Sequence, residues 1–125
     1  MPNNLPVVVL VVEDDPLVLL AAAVMIEEAG YHVLQAGNAD EAMVLLETRP
    51  DIRIIFTDIE MPGSMDGVKL AACVHERWPP VTIIVTSGRI PASEIVLPTG
   101  SLFLPKPYRP HELVACLGKR GLTGC

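Results

Sequence analysis

Hydrophobic residues gather in five short runs, over residues 7–12, 32–36, 52–58, 82–86 and 102–104, each closed by polar or turn-forming residues. Runs this short, rich in β-branched side chains and bounded by breakers, read as strands buried on both faces. The stretches between them carry helical start and stop signals. Pro16 suits the first turn of a helix over residues 16–29, with Gly30 as its left-handed stop. Leu17 through Ile26 includes no polar residue, so some apolar side chains, Leu19 or Ile26 among them, are expected to face outward as part of a protein-docking surface. Asn38 is expected to cap the next helix with Glu41 as its reciprocal partner, and Ala42, Leu45 and Leu46 to face the sheet. Asp66 can cap a helix over residues 67–78 whose inner positions are Leu70, Ala71, Val74 and Trp78, and Pro79-Pro80 stops it. A last helix begins at Pro110 and is expected to carry Leu113, Val114 and Leu117 inward. Between Arg89 and Gly100, Pro91 and Pro98 leave room for barely two helical turns.

Strands alternating with helices argue an α/β fold, a doubly wound five-stranded parallel sheet with helices on both faces. Right-handed crossovers in so short a chain suggest the strand order 2-1-3-4-5. The chain reads as a single domain over residues 1–125, with a core of about 7–117 and a flexible tail at 118–125.

In such sheets chemistry collects beyond the carboxyl ends of the strands. Glu13 and Asp14 follow the first strand, Asp58 ends the third, Thr86 ends the fourth and Lys106 follows the fifth. On this topology the three acids converge. Carboxylates at close quarters oppose one another's ionisation, so either one proton is retained or a cation binds. Hard oxygen ligands suit Mg²⁺ or Mn²⁺. A carboxylate nucleophile, a metal site, a fixed cation and a hydroxyl match the needs of phosphoryl transfer to a carboxylate, which depends on positioning and charge neutralisation.

Composition narrows the alternatives. Nine Lys and Arg scattered among fifteen acids give a net charge of -6 and no basic stripe, which argues against nucleic-acid binding. Cys73, Cys116 and Cys125 are odd in number and far apart, without zinc-like spacing, and read as thiols of a reducing cytoplasm. Cys125, at the end of the Gly-rich tail, is the one placed to crosslink on storage. The apolar start lacks a basic flank and a cleavage site, and no run spans a membrane. A soluble, cytoplasmic protein with no membrane partner is expected.

Four segments in order, V-V-E-D-D-P from Val11, T-D-I-E-M-P-G with its following D-G from Thr57, V-T-S-G from Val85 and L-P-K-P-Y from Leu104, resemble the response-regulator receiver family of two-component signalling. The resemblance covers essentially the whole chain and implies a flavodoxin-like fold. It implies that Asp58 is phosphorylated by a histidine kinase or a histidine phosphotransfer protein. Asp14, Asp58 and the backbone carbonyl of Glu60 would then hold the metal directly, with Glu13 acting through a water. Asp15 is left as a helix-start charge. Lys106 would contact the phosphoryl oxygens, and the Lys106-Pro107 bond would be cis. Thr86 and Phe103 occupy the positions of the family's switch pair. Small residues at Ser87 and Gly88 would leave the acceptor open, and Glu60 would bear on dephosphorylation.

Two departures from the family pattern stand out. Ser64 lengthens the loop after the third strand, and the fourth helix is short or irregular. Without that helix, the family's dimer is not expected. A monomer or weak dimer that signals by competition or phosphate relay through its first helix is expected instead. Met1 and the short tail suggest a stand-alone unit, and the receiver part of a longer hybrid kinase is the alternative. From a different class, Asp58-Ile59-Glu60 also fits a small Asp-nucleophile phosphatase, although 125 residues leave no room for a substrate-covering cap. A receiver-like module without phosphorylation is disfavoured by the complete set of acids, hydroxyl and lysine.

Overall fold

The computed structural model describes residues 6–63 and 65–119. Ser64, Cys125 and the tail beyond 119 lie outside the described residues. The elements are β1 (Val8–Val12), α1 (Pro16–Glu28), β2 (His32–Ala36), α2 (Ala39–Thr48), β3 (Ile52–Asp58), α3 (Gly67–Arg77), β4 (Thr82–Ser87), β5 (Leu102–Pro105) and α4 (Pro110–Gly118). All five strands are parallel, in the order β2-β1-β3-β4-β5.

Strand side chains alternate between the two faces, and the core divides accordingly. Leu10, Val12, Ile55 and Val85 pack beneath α2 and α3 with Ala42, Leu46, Leu70 and Val74. Val9, Val11, Ile54, Phe56 and Ile84 pack beneath α1 and α4 with Ala23, Ile26, Leu113 and Leu117. The three central strands are nearly water-free, as the apolar runs require.

Helix ends follow local chemistry. The Asp15 carboxylate accepts from the amides of Leu17 and Val18 and starts α1, where Pro16 contributes no donor. At its other end Gly30 takes φ +100°, and the amides of Gly30 and Tyr31 donate to the carbonyls of Glu27 and Ile26. That is the glycine-dependent Schellman closure. Asn38 caps α2 by accepting from Glu41 N–H. The expected reciprocal bond runs one residue earlier, because the Glu41 carboxylate accepts from Gly37 N–H rather than from Asn38. Asp66 caps α3 by accepting from Lys69 N–H.

Helix faces depart from expectation at several positions. Ile26 is fully buried and Leu19 half-buried, while Leu17, Leu20 and Val24 are 77%, 54% and 42% exposed. A run without polar residues carries no phase, so its outward stripe could not be read from the pattern. In α4, Cys116 rather than Val114 faces inward. Leu45 and Trp78 are half-buried at the core margin, and Trp78 caps α3 instead of lying within it. Between β4 and β5 the chain forms only a single 3₁₀ turn (Ala92–Glu94), consistent with the flanking prolines.

Candidate functional site

Register places the site. Val12 pairs with Thr57, so Glu13 and Asp58 leave adjacent strands at the same level. Asp58 pairs with Thr86, and Ser87 pairs with Pro105, which brings Lys106 to the same rim. Oxygens of Glu13, Asp14 and Asp58 all lie within 4.8 Å of one another. Lys106 Nζ lies 2.7 Å from Asp58 Oδ2 and 3.4 Å from Glu13 Oε1. Glu60 N–H donates to Asp58 Oδ1 at 3.0 Å. The Lys106-Pro107 peptide bond is cis, as expected.

The electrostatics follow from this crowding. Burial is the main influence on Glu13, and Asp58 beside it reinforces the effect. Against the opposing Asp15 amide and Lys106 charge, these push the Glu13 pKa up to about 7. Burial alone would lower the Lys106 pKa, but hydrogen bonding and charge from Asp58, with Glu13, outweigh it and hold the ammonium above the usual lysine value. Thr86 is buried, and its Oγ1 has no hydrogen-bond partner among the described residues. An orphaned hydroxyl at this depth is unfavourable unless an acceptor arrives. Phe103 is half-buried beside the same rim and lines an open cavity with Ser87, Ile90 and Lys106.

Two features escaped the sequence reading. Gly67 lies so close to β3 that a Cβ there would sit 2.1 Å from the Asp58 carbonyl oxygen and 2.7 Å from Ile59 Cα. Its place at the start of α3 was legible; the approach to the acceptor's backbone was not. The second is Glu60. Its carboxylate does not stand free in solvent, because it accepts from the Ser87 hydroxyl and from Arg89 N–H at 3.2 Å. That engagement occupies the second carboxylate on which the phosphatase reading relied.

A groove of about 580 Å³ runs from this rim along α1, lined by Leu17, Val18, Ala21, Met25, Gly88 and Tyr108. Gly88 lies beside the ammonium stem, where a Cβ would stand in ordinary contact with Lys106 Cβ at 3.5 Å. No helix among the described residues is long and apolar enough to cross a membrane.

The response regulator receiver domain model matches residues 9–117. The chain therefore belongs to the response regulator receiver family, and it is a receiver domain of two-component signalling. Among its relatives are the hydrogenase transcriptional regulatory protein HoxA of Cupriavidus necator, 34% identical over 110 residues, and the transcriptional regulatory protein AruR of Pseudomonas aeruginosa, 34% identical over 113. Those matches cover 85% and 86% of this chain but only 22% and 46% of the relatives, so the chain spans less than half the length of either. Its fold superposes on the CheY-like response regulator receiver domain protein from Methanospirillum hungatei with a TM-score of 0.82 at 26% identity, covering 92% of both chains.

Proposed function

We propose that Asp58 is the phosphoacceptor, taking a phosphoryl group from a histidine kinase or a histidine phosphotransfer protein. The observation that carries this reading is the 2.7 Å contact of Lys106 Nζ with an Asp58 oxygen inside a three-carboxylate cluster. An Asp58 oxygen attacks the phosphorus of a phosphohistidine, the P–O bond forms and the P–N bond breaks, and the imidazole leaves. Lys106 offsets charge on the transferring group, and the Thr86 hydroxyl, without a partner among the described residues, donates to one of its oxygens.

The cluster's all-oxygen donor set and spacing fit a hard divalent cation, Mg²⁺ or Mn²⁺. Asp14, Asp58 and the Glu60 carbonyl would hold it, with Glu13 one water away. When bound, such an ion neutralises phosphoryl oxygens and the crowded acids together. Thr86 and Phe103 form the proposed switch, with Phe103 moving toward space that Thr86 leaves.

The donor protein is proposed to dock on α1. Leu17, Leu20 and Val24 fall on one solvent face, and the groove beside them opens onto Lys106. A helical donor seated there would present its histidine to Asp58. We propose a cytoplasmic protein acting as a monomer or weak dimer through such contacts, either alone or as the receiver segment of a larger protein.

Incubation with a small acyl phosphate and Mg²⁺, followed by intact mass, tests the acceptor. The mass of one phosphoryl group is expected on the native protein and none on Asp58→Asn. Labelling that survives Asp58→Asn would overturn the assignment.

A further inference from the structure

Glu60 sits between the acceptor and the segment that stands where a helix would normally follow β4. Its amide donates to Asp58 Oδ1 at 3.0 Å, while its carboxylate accepts from the Ser87 hydroxyl and from Arg89 N–H at 3.2 Å. Ser87 Oγ in turn accepts from Ile90 N–H at 3.0 Å. One side chain and one hydroxyl thus tie the loop after β3 to residues 87–90. Ile90, Ile95 and Leu97 of that second segment pack only partly against the core, and its regular structure is the three-residue turn Ala92–Glu94. So little intrinsic order makes the tie a large share of what holds this segment in place.

We infer that the Glu60 carboxylate is a positioning residue, a latch that fixes the Glu60 peptide against Asp58 and couples the metal and phosphoryl site to residues 87–90. The inference rests on the proposed acceptor reading and extends it to a side chain for which the reading has no use. Holding the side chain fixes the Cα that joins the Glu60 amide, which contacts Asp58, to the Glu60 carbonyl, which is assigned to the metal. Coupling of this kind is reciprocal: whatever orders the site also orders the segment.

Amide hydrogen exchange at Arg89 and Ile90 and Mg²⁺ titration, on the full chain, test the latch with Glu60→Ala, Glu60→Gln and Ser87→Ala. Glu60→Ala and Ser87→Ala are each expected to speed exchange at these amides by about 3- to 10-fold, the equivalent of one net hydrogen bond, and to weaken Mg²⁺ binding in parallel. Glu60→Gln, which keeps an acceptor oxygen but loses the charge, is expected to stay near the native values. The double variant Glu60→Ala/Ser87→Ala is expected to fall short of the sum of the two single effects, because both single variants already remove the Ser87–Glu60 contact. Unchanged exchange in Glu60→Ala would overturn the proposal. So would a Glu60→Gln variant as impaired as Glu60→Ala while Ser87→Ala binds Mg²⁺ normally, since charge alone would then explain the effect. Failure of native protein to bind Mg²⁺ or to label at Asp58 would instead remove the acceptor reading, and the exchange measurement would still report on the latch.

Discussion

Lys106 Nζ lies 2.7 Å from Asp58 Oδ2 although the two residues are 48 positions apart and stand at the ends of strands separated by β4. The ammonium reaches across the end of β4 and counters both Asp58 and Glu13. Lys106→Met is expected to leave these buried carboxylates facing each other and to destabilise the Mg²⁺-free protein by about 1–3 kcal/mol at pH 8. Labelling by a small acyl phosphate should slow by about two orders of magnitude, as when one positioned donor is lost. Denaturant unfolding and intact-mass time courses check the two effects separately.

Glu13 makes stability depend on pH. Its folded pKa, about 7, lies above the ordinary glutamate value of 4.5, so the folded state holds the proton more tightly. The resulting stability is fully present below about 4.5 and is lost as pH rises through 7. The melting temperature of metal-free protein should therefore fall between pH 5 and pH 8, against the trend set by most carboxylates. Saturating Mg²⁺ should abolish the fall, and Glu13→Gln should flatten it without metal. A melting temperature that climbs steadily over this window in native protein would contradict the assignment.

Thr86 offers a substitution whose two effects have opposite signs. Thr86→Val keeps the side-chain shape and removes a hydroxyl that is buried without a partner among the described residues. The unphosphorylated protein should gain up to about 1 kcal/mol. Phosphoryl transfer to Asp58 should nevertheless slow, because the hydroxyl is the donor meant for the incoming oxygen. Thermal unfolding and labelling rates, measured on one preparation, would reveal the divergence.

Gly67 has no room for a methyl group. Gly67→Ala would drive Cβ into the Asp58 carbonyl oxygen and Ile59 Cα, both backbone atoms with no freedom to yield cheaply. A loss of more than about 2 kcal/mol is expected, with labelling impaired through displacement of the acceptor's own backbone. Ala72→Gly in the exposed part of the same helix is the control, expected to cost only about 1 kcal/mol through helix propensity and to leave labelling intact.

The stripe on α1 can be tested without touching the chemistry. Leu17→Asp and Leu20→Asp alter exposed side chains, so folding and labelling by a small donor should be unchanged. Transfer from a phosphorylated histidine protein should fall by about tenfold or more, as when a docking anchor is lost. Equal loss with both kinds of donor would argue that α1 does not dock the partner.

The sheet was legible because its evidence is local and redundant. Each of the five strands is a β-branched run closed by breakers, and parallel connectivity then determines which ends meet. That is why Glu13, Asp14, Asp58, Thr86 and Lys106 could be placed at one rim from the sequence. Helix faces were harder to read. Ile26 turned inward and Leu17 outward because an unbroken apolar run has no polar residue to set its phase, and Val114, expected inward, faces solvent for the same reason. The engagement of the Glu60 carboxylate was invisible because its partners, Ser87 and Arg89, are close only after β3 and β4 pair. The tightness around Gly67 has the same origin, since no local pattern reports how near a helix start comes to a neighbouring strand.

The crossover from β4 to β5 contains one turn where its counterparts between the other strands contain two or more. A regular helix moves as a rod, so a signal passing through it becomes a tilt or a slide. A thin, proline-punctuated strap has no such rigidity. The response to expect of it is a change in how often it detaches, which a partner gripping the detached form would sense as a frequency rather than an angle.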